Sequence, residues 1–376
     1  MQYRKFGNTN EEISILGFGC MRFPQIDNEI DVEETTKMIR YAIDNGLNYI
    51  DTAYPYHNGE SEIVVGKILK HGYREKVKLA TKLPSWNITS REDMDNYLNK
   101  QLEKLQTDYI DFYLIHALDE KLWQNLVKNN IFEFLDDIKR SGKVKYLGFS
   151  FHDKYNVFEK IVDSYDWDFT QIQYNYIDED YQAGTKGIEY AHKKGMGIII
   201  MEPLRGGKLV NNLSDEIKDI IDKAKPKKTP AEWAFKFLYD KEEIGIVLSG
   251  MSTMEQVVEN LKICDEHGKS NSITENEKKI LMDLKNAFKS KIKVNCTACK
   301  YCLPCPMGVN IPSCFEALNN ASMFNEIEYV KNNMYKYIIN EKSDASKCVG
   351  CGKCEAVCPQ HIKIIEMLKE VNETFN

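Results

Sequence analysis

Short apolar segments alternate with longer stretches of helical periodicity over the first 265 residues of the chain. Segments such as "ISILGFG", "LNYIDTA" and "YIDFYLIH" are rich in Ile, Leu, Val and aromatic residues and end in polar residues, which predicts buried strands. The stretch "DVEETTKMIRYAIDNG" has a helical period, with a capping-box pair in Asp31 and Glu34 and a terminating glycine in Gly46. The pattern predicts eight strands that alternate with eight helices.

This alternation also predicts the fold class. Strands separated by helices form a parallel sheet, because a parallel connection needs a crossover that is usually helical. Eight such units close into a (β/α)8 barrel, the TIM barrel, an α/β fold of about 250 residues. An open doubly wound sheet is the alternative, but it is expected to carry a glycine-rich fingerprint after its first strand. The segment "LGFGCMRF" has only Gly17 and Gly19 and leads to no immediate helix, so the barrel is favoured.

Four polar residues lie where the predicted strands two to four end. Asp51 closes the second strand, Tyr56 lies in the loop after it, Lys82 closes the third strand and His116 closes the fourth. Each residue alone has an ordinary structural explanation, as a loop cap, a packing aromatic, a solvated strand end or a core histidine. The C-terminal strand ends of a barrel meet at one mouth, where barrel enzymes carry their active sites. The four residues together therefore predict an active site.

The order of these residues and their surrounding motifs resemble the aldo-keto reductase family. The motifs "DTAYPYHNGESE", "ATK" and "LIH" carry the resemblance, which extends over essentially residues 1 to 265. It implies that Asp51, Tyr56, Lys82 and His116 form a catalytic tetrad. Tyr56 would donate a proton to a carbonyl oxygen, and a cationic Lys82 would lower the pKa of the phenol. Asp51 would keep Lys82 charged, and His116 would orient the carbonyl through a hydrogen bond.

The same resemblance implies that a nicotinamide dinucleotide binds across the barrel mouth. The motifs "GFS" and "TQIQYN" place a hydroxyl and an amide at the nicotinamide carboxamide, and "MEPLRGGKL" resembles the segment that passes under the pyrophosphate. A plain turn is the alternative for the glycine pair of that segment. The motif "SGMSTMEQVVEN" resembles the loop and helix at the adenosine end. The implied cofactor-binding residues are Ser150, Gln171, Met201, Pro203, Leu204, Arg205, Gly206, Ser252, Gln256 and Asn260.

Three departures from the family pattern concern this cofactor. Thr253 and Gln256 stand where NADP-dependent members usually place Lys and Arg against the 2′-phosphate. A phosphate without cationic partners binds less tightly, so NADPH is favoured only narrowly over NADH. Met201 stands where many members stack an aromatic ring on the nicotinamide. A thioether packs against a ring without fixing its plane as well, which leaves room for a flavin.

The distribution of cysteines predicts a second domain. Of the 11 cysteines, Cys20 and Cys264 are isolated, and the others crowd into the C-terminal part of the chain. Spacers of two residues indicate a metal site, whereas disulfide frameworks scatter their partners. We therefore predict a barrel domain over residues 1–290 and a small, mainly helical iron-sulfur domain over residues 291–376.

Two cysteine motifs indicate which metal centre this domain holds. "CVGCGKCEAVCPQ" is the C-x2-C-x2-C-x3-C-P run of bacterial iron-sulfur proteins, and "CTACKYCLPCP" is one residue shorter before its last cysteine. In two-cluster ferredoxins, the fourth cysteine of a run binds the other cluster. Zinc is the alternative, but a zinc ribbon uses two cysteine pairs. The motifs thus predict two [4Fe-4S] clusters, the first on Cys296, Cys299, Cys302 and Cys358 and the second on Cys305, Cys348, Cys351 and Cys354.

The segment between the two motifs reads as helical, and the whole module resembles helical dicluster ferredoxins. Cys314 lies inside this predicted helix, where packing in the core is expected. The alternative is that Cys314 replaces Cys305 as a ligand.

Composition restricts the partners. Lys and Arg number 50 against 57 Asp and Glu, a net charge of -7 without a long run of one sign, so no nucleic-acid or membrane surface is predicted. The N-terminus lacks the apolar core of a signal peptide, and no apolar run approaches membrane-spanning length. We expect a cytoplasmic protein that acts on a small carbonyl compound, with a redox protein as a further candidate partner.

Two functions of different classes follow from these features. The first is a reductase of the aldo-keto type that transfers hydride from a nicotinamide cofactor to an aldehyde, ketone or quinone, with clusters in a structural, regulatory or electron-transfer role. The second is an iron-sulfur electron-transfer protein that uses the barrel as a scaffold. Hydride carries two electrons and a cluster accepts one, so direct coupling needs a carrier such as a flavin, for which no motif is visible. The intact tetrad favours the reductase.

Overall fold

A closed barrel of eight parallel strands dominates the computed structural model, which describes residues 1–296, 298, 300–358 and 360–376. The barrel confirms the predicted fold class. Its strands are β3 and β6 to β12, in the spatial order β3-β6-β7-β8-β9-β10-β11-β12. The strands of the chain are β1 (Tyr3–Lys5), β2 (Glu12–Ser14), β3 (Leu16–Gly19), β4 (Gln25–Ile26), β5 (Glu29–Ile30), β6 (Tyr49–Asp51), β7 (Lys78–Leu83), β8 (Ile110–Leu118), β9 (Val144–Phe151), β10 (Phe169–Gln173), β11 (Gly197–Met201) and β12 (Ile246–Ser249).

Helices connect the barrel strands and form the C-terminal region. Asp31 caps the first of them by accepting a hydrogen bond from the Glu34 N–H at 3.0 Å, and Gly46 follows its end with φ of 95°. The Asp31 cap and the terminating glycine therefore act as predicted, whereas the return half of the capping box is not formed, because the Asp31 N–H donates to the Pro24 carbonyl at 2.9 Å. The helices are α1 (Val32–Asp44), α2 (Ser61–Ile68), α3 (Arg91–Leu105), α4 (Glu120–Lys128), α5 (Ile131–Arg140), α6 (Tyr155–Val162), α7 (Gly184–Lys193), α8 (Asp215–Lys223), α9 (Pro230–Tyr239), α10 (Met254–His267), α11 (Glu275–Lys289), α12 (Ile311–Phe324), α13 (Ile327–Val330), α14 (Lys336–Asn340), α15 (Lys353–Ala356) and α16 (Ile364–Phe375).

The hairpin of β1 and β2 covers the N-terminal end of the barrel. Phe6, which follows β1, is fully buried and packs edge-on against Phe112 with ring centroids 5.5 Å apart. It also lies against Gly197 at the start of β11, where an added Cβ would come within 2.4 Å of the Phe6 ring. Apolar contacts of this kind contribute to stability through the area that they remove from water. The opposite, C-terminal mouth carries the polar strand ends.

Packing divides the chain into two compact units. The first comprises Met1–Gly206 and Ala231–Thr274 and contains the barrel. The second comprises Gly207–Pro230 and Glu275–Asn376 and contains both cysteine motifs. The domain limits predicted from the sequence, with a boundary between residues 290 and 291, stay a prediction.

The second unit is mainly helical, as predicted, and has a core of its own. Its buried residues include Phe315 and Leu318 of α12 and Leu368 of α16. Tyr335 stacks on Phe375 with ring centroids 4.5 Å apart. Several cysteines of the two motifs pack against this core, so the apolar contacts hold the thiol-bearing loops together.

Among the helices that the structure describes, none combines the length and the apolar character needed to cross a bilayer.

Candidate active site and iron-sulfur centre

Three neighbouring strands bring the predicted tetrad to one mouth of the barrel. Strand β6 pairs with β7 with Asp51 opposite Ala80, and β7 pairs with β8 with Lys82 opposite Leu114. Asp51 is the last residue of β6, and Tyr56 begins the short turn Tyr56–Gly59 that follows. Lys82 and His116 lie near the C-terminal ends of β7 and β8. The side chains converge because parallel strands end at the same edge of the sheet.

The Lys82 ammonium lies at the centre of the tetrad. Its Nζ donates to Asp51 Oδ1 at 2.6 Å, to the Thr52 carbonyl at 2.8 Å and to Tyr56 Oη at 3.5 Å. The three donor positions of an ammonium are thereby used. The Lys82 side chain is 0% exposed and that of Asp51 is 2% exposed, so the surroundings screen this ion pair weakly.

Burial opposes charge on both members of this pair. It is the largest influence on Lys82 and disfavours the cation, but attraction by Asp51 and Tyr56 together outweighs it and raises the pKa of Lys82. Burial also raises the pKa of Asp51, against the attraction of Lys82. The raised pKa of Lys82 favours an ionised pair, whereas the raised pKa of Asp51 opposes it. The close Asp51 contact and the Thr52 carbonyl both favour the ammonium, so Lys82 is charged at neutral pH.

The Tyr56 phenol is held in its protonated form. Burial raises the pKa of Tyr56, and Lys82 lowers it by a smaller amount. The effect of Lys82 expected from the sequence is therefore present, but the net direction is upward. A phenol with a raised pKa is a proton donor throughout the neutral pH range.

His116 lies beside Tyr56, with ring centroids 6.1 Å apart. The ring of Trp86 also lies near His116, with ring centroids 5.1 Å apart. Burial first, and then the charge of Lys82, lower the pKa of His116 well below its ordinary value, so the imidazole is neutral. Its buried Nδ1 has no hydrogen-bond partner in the described part of the chain. A neutral imidazole whose nitrogen has no partner can form a hydrogen bond with a polar ligand.

The next three strands carry the residues assigned to the nicotinamide. Gln171 of β10 lies opposite Ser150 of β9, and Gln173 lies opposite Met201 of β11. Ser150 Oγ accepts from the Ala117 N–H at 2.7 Å, and the Gln171 Nε2 lies 3.7 Å from the Met201 sulfur. The Gln171 Oε1 is buried and accepts no hydrogen bond from the residues described. A buried amide oxygen without a partner is costly unless a ligand satisfies it.

The segment assigned to the pyrophosphate follows β11. Pro203 is buried, Leu204 is half-buried, and a turn begins at Arg205. The Arg205 guanidinium forms an ion pair with Asp178 Oδ1 at 3.3 Å. Gly206 is exposed with φ of 68°, a conformation that glycine adopts without strain.

The residues assigned to the adenosine end lie just before α10 and along its first half. Gln256 Oε1 accepts from the Ser252 N–H at 2.8 Å, and Thr253 Oγ1 caps the helix by accepting from the Gln256 N–H at 3.4 Å. Asn260 is buried and donates to Ser249 Oγ at 3.0 Å. These polar groups therefore fix the loop itself, and their assigned contacts with adenosine stay predictions.

The cysteine loops form a thiol-lined cavity in the second unit. Cys296, Cys302 and Cys358 line an opening with about 340 Å³ of empty space, part of it solvent, beside Phe315 and Ile364. These are three of the four ligands assigned to the first cluster, and the fourth, Cys299, lies outside the described residues. A thiol set with an apolar wall fits an iron-sulfur cluster. Of the ligands assigned to the second cluster, Cys305, Cys348 and Cys354 are half-buried and Cys351 is exposed.

Cys314 is a core residue, as expected from its place in the helix. It is 0% exposed, and burial raises its pKa to about 12. Metal ligation uses the thiolate, so a thiol with this pKa is poorly suited to replace Cys305.

Two contacts at the mouth are not predicted by any motif. His57, to which no role was assigned, accepts a hydrogen bond from the Phe23 N–H at 3.2 Å and stacks on the Phe23 ring. Arg22, which precedes Phe23 in the loop after β3, lies against Gly206 and Gly250. No local motif indicates either contact, because both join loops that are distant in the sequence.

Comparisons with known proteins agree with this architecture. A sequence model of the Aldo/keto reductase family matches residues 15–280, and a model of a 4Fe-4S dicluster domain matches residues 295–362. The chain is 27% identical to an L-galactose dehydrogenase of Arabidopsis thaliana over 287 residues, 71% of this chain and 89% of that protein. It is 34% identical to a probable aldo-keto reductase of Glycine max over 155 residues, 39% of this chain and 44% of that protein, less than half of its length.

A solved structure shares the barrel. The aldo-keto reductase of Bacillus halodurans, in its holo form, superposes with a TM-score of 0.64 at 24% identity and covers 76% of this chain and 96% of its own. At this level of identity the similarity shows the fold.

Proposed function

Because the chain belongs to the aldo/keto reductase family, we propose that it reduces a small carbonyl compound, an aldehyde, ketone or quinone, with a nicotinamide cofactor and with Tyr56 as the proton donor. The observation that carries the proposal is the buried Lys82, whose Nζ is shared between Asp51 Oδ1 and Tyr56 Oη. A buried cation in contact with a phenol favours any step in which that phenol gives up its proton.

Tyr56 and Lys82 divide the proton transfer between them. The phenol is protonated at neutral pH, so it can donate a hydrogen bond to the substrate oxygen before the reaction. As the proton leaves, negative charge develops on Tyr56 Oη, 3.5 Å from the Lys82 Nζ. Lys82 stabilises this charge, and Asp51 holds Lys82 in position. The arrangement therefore favours the transition state over the ground state.

His116 and Trp86 shape the place where the carbonyl would lie. The neutral imidazole lies close to both Tyr56 and Trp86 and can donate a second hydrogen bond to the carbonyl oxygen. Two donors that converge on one oxygen fix the orientation of a planar carbonyl group. The half-exposed Trp86 offers an apolar face to the remainder of the substrate.

Ser150 and Gln171 are the residues that would hold the nicotinamide carboxamide. The unsatisfied Gln171 Oε1 can accept a hydrogen bond from an amide N–H, which accounts for a buried oxygen without a partner among the residues described. When bound, a dihydronicotinamide supplies the hydride for the carbonyl carbon. We propose NADPH as the cofactor with NADH as the alternative, because Thr253 and Gln256 are uncharged and engaged in capping α10.

The second unit would hold two [4Fe-4S] clusters on the predicted cysteines. The cavity lined by Cys296, Cys302 and Cys358 supports the crossed arrangement, in which Cys358 of the second motif joins the first cluster. Such clusters supply one-electron transfer, which makes a redox protein a candidate partner of the second unit.

The reductase proposal is tested by replacing one phenol. Tyr56→Phe is compared with Tyr54→Phe, whose ring packs against Tyr97 and Lys104 and keeps those contacts as Phe. Protein purified anaerobically is assayed for NADPH and NADH oxidation with a panel of aldehydes, ketones and quinones. We expect Tyr56→Phe to lower kcat by about 100-fold or more, the usual contribution of a general acid. Tyr54→Phe should retain the wild-type rate.

Two results would contradict the proposal. One is a Tyr56→Phe variant that turns over at the wild-type rate. The other is a wild-type protein with full iron content that oxidises neither dinucleotide with any compound of the panel.

A further inference from the structure

Arg22 lies in the loop after β3, at the end of the barrel that carries the tetrad. Hydrogen bonds hold the backbone two residues before Arg22 and one residue after it. The Cys20 N–H donates to the Asp51 carbonyl at 2.8 Å, and the Phe23 N–H donates to His57 Nε2 at 3.2 Å. Cys20 and Phe23 are buried, whereas Arg22 is exposed. The loop therefore presents a cation from a backbone that is already held in place, which reduces the entropy lost on binding an anion.

The Arg22 side chain extends over two glycines that follow neighbouring strands. A Cβ added to Gly250, just after β12, would lie 3.1 Å from the Arg22 Cδ. A Cβ added to Gly206, in the turn after β11, would lie 3.0 Å from the Arg22 Nη2. A Cβ at Gly250 would press on the aliphatic part of the Arg22 side chain and one at Gly206 on its guanidinium, so each glycine leaves room for Arg22. Arg22 therefore lies between the two loops that the sequence assigns to the pyrophosphate and to the adenosine end.

The charge of Arg22 is unpaired among the residues that the structure describes. In the part of the chain that the structure describes, Arg22 forms no ion pair or hydrogen bond, and Glu202, which approaches the same Gly206 position at 3.8 Å, does not pair with it. Arg205, in contrast, is paired with Asp178 at 3.3 Å. A guanidinium without an anion at a mouth of this kind can bind a phosphate through two parallel hydrogen bonds.

We propose that Arg22 binds a phosphate group of the nicotinamide dinucleotide. The inference rests on the proposed function, because it takes the dinucleotide to be the cofactor. The phosphate belongs either to the pyrophosphate, which NADPH and NADH share, or to the 2′-phosphate, which only NADPH carries.

The test measures dinucleotide binding in the absence of a carbonyl substrate. Protein purified anaerobically with its iron is titrated with NADPH and with NADH, and Kd is obtained from the quenching of intrinsic tryptophan fluorescence. The variants are Arg22→Gln and Arg22→Lys, with Arg140→Gln as the control. Arg140 is 75% exposed and ends α5, the helix that leads into the start of β9, so it lies at the opposite end of the barrel. Iron content and circular dichroism verify that each variant is folded.

We expect Arg22→Gln to raise Kd about tenfold, the usual effect of losing a charge-assisted hydrogen bond. Arg22→Lys should recover part of the affinity, and Arg140→Gln should remain within about twofold of the wild type. Added salt should weaken binding to the wild type more than binding to Arg22→Gln. An equal loss for NADPH and NADH assigns Arg22 to the pyrophosphate, and a loss confined to NADPH assigns it to the 2′-phosphate.

Kd values for Arg22→Gln that match the wild type for both dinucleotides would overturn the inference and leave the reductase proposal intact. If Arg22→Gln binds weakly while the wild type binds a dinucleotide but reduces no carbonyl, the Arg22 contact stands and the reductase proposal fails. A wild-type protein that binds neither dinucleotide overturns both.

Discussion

Replacing Lys82 by Met removes the charge on which the proposed proton transfer depends. Met has a similar length and fits a buried site, so the change tests charge more than packing. In the wild type the Lys82 Nζ lies 3.5 Å from Tyr56 Oη and is 0% exposed. The cation is thus close enough to act on the phenol, and water screens it little.

The size of the effect follows from this distance. With an effective dielectric constant of about 20, two full charges 3.5 Å apart interact by about 4.7 kcal/mol. If about half a unit charge has developed on the phenol oxygen in the transition state, the loss is about 2.4 kcal/mol, or about 50-fold in rate. The charge is absent in the ground state, so kcat should fall while KM for the carbonyl changes little.

The assay needs a control for stability, because Lys82→Met leaves Asp51 buried without its partner. Removing one member of a buried ion pair costs about 3–5 kcal/mol. The double variant Asp51→Asn/Lys82→Met removes both charges and should unfold at a urea midpoint closer to that of the wild type. Steady-state carbonyl reduction, measured anaerobically, should nevertheless be about as slow in the double variant as in Lys82→Met.

The reasoning would be refuted if a folded Lys82→Met protein kept kcat within threefold of the wild type. It would also be refuted if the double variant recovered both stability and activity, because the loss in the single variant would then come from the unpaired Asp51.

Two further predictions concern pH and iron. Burial lowers the pKa of His116 well below 6.5 and raises that of Tyr56 above 10, so the imidazole is neutral and the phenol is protonated between these values. The kcat/KM for reduction should therefore be flat from about pH 6.5 to 9. A titration in that range that disappears in His116→Gln would contradict this. Cys358→Ser should lower the iron content from about eight to about four atoms per chain, as expected for two cubane clusters, whereas Cys314→Ser should leave it unchanged. Loss of iron in Cys314→Ser, by colorimetric iron and sulfide analysis, would instead make Cys314 a ligand.

The fold could be predicted because its signals are local. Each buried strand is a short apolar run, each helix has its own period and caps, and the alternation of the two leaves few topologies. The positions of Asp51, Lys82 and His116 near the ends of β6, β7 and β8 followed from the same pattern, since strand ends in a barrel share one edge. The iron-sulfur centre could also be predicted from the two cysteine motifs, because their spacing reflects the coordination of a cluster.

Other features depended on burial, which spacing does not encode. The direction in which the Tyr56 pKa moves is decided by how deeply the ring is buried, and this effect exceeds that of the neighbouring Lys82. The Arg205 side chain, assigned to the pyrophosphate segment, pairs with Asp178 because β10 and β11 are neighbours in the barrel. Both results depend on competing interactions, and a sequence motif indicates only one of the interactions that compete.

Three features could be predicted without coordinates: the alternating elements, the order of the tetrad along the strands and the two thiol motifs. Each of them depends on short segments of the chain. The fold adds what no motif indicates, namely that Arg22 lies across Gly206 and Gly250, and it brings Cys358 to the cavity of Cys296 and Cys302 in line with the crossed ligand pattern of two-cluster ferredoxins. These contacts join loops that are far apart in the sequence. Their geometry is fixed by the closure of the barrel and by the packing of the helical core, which place the loops in space.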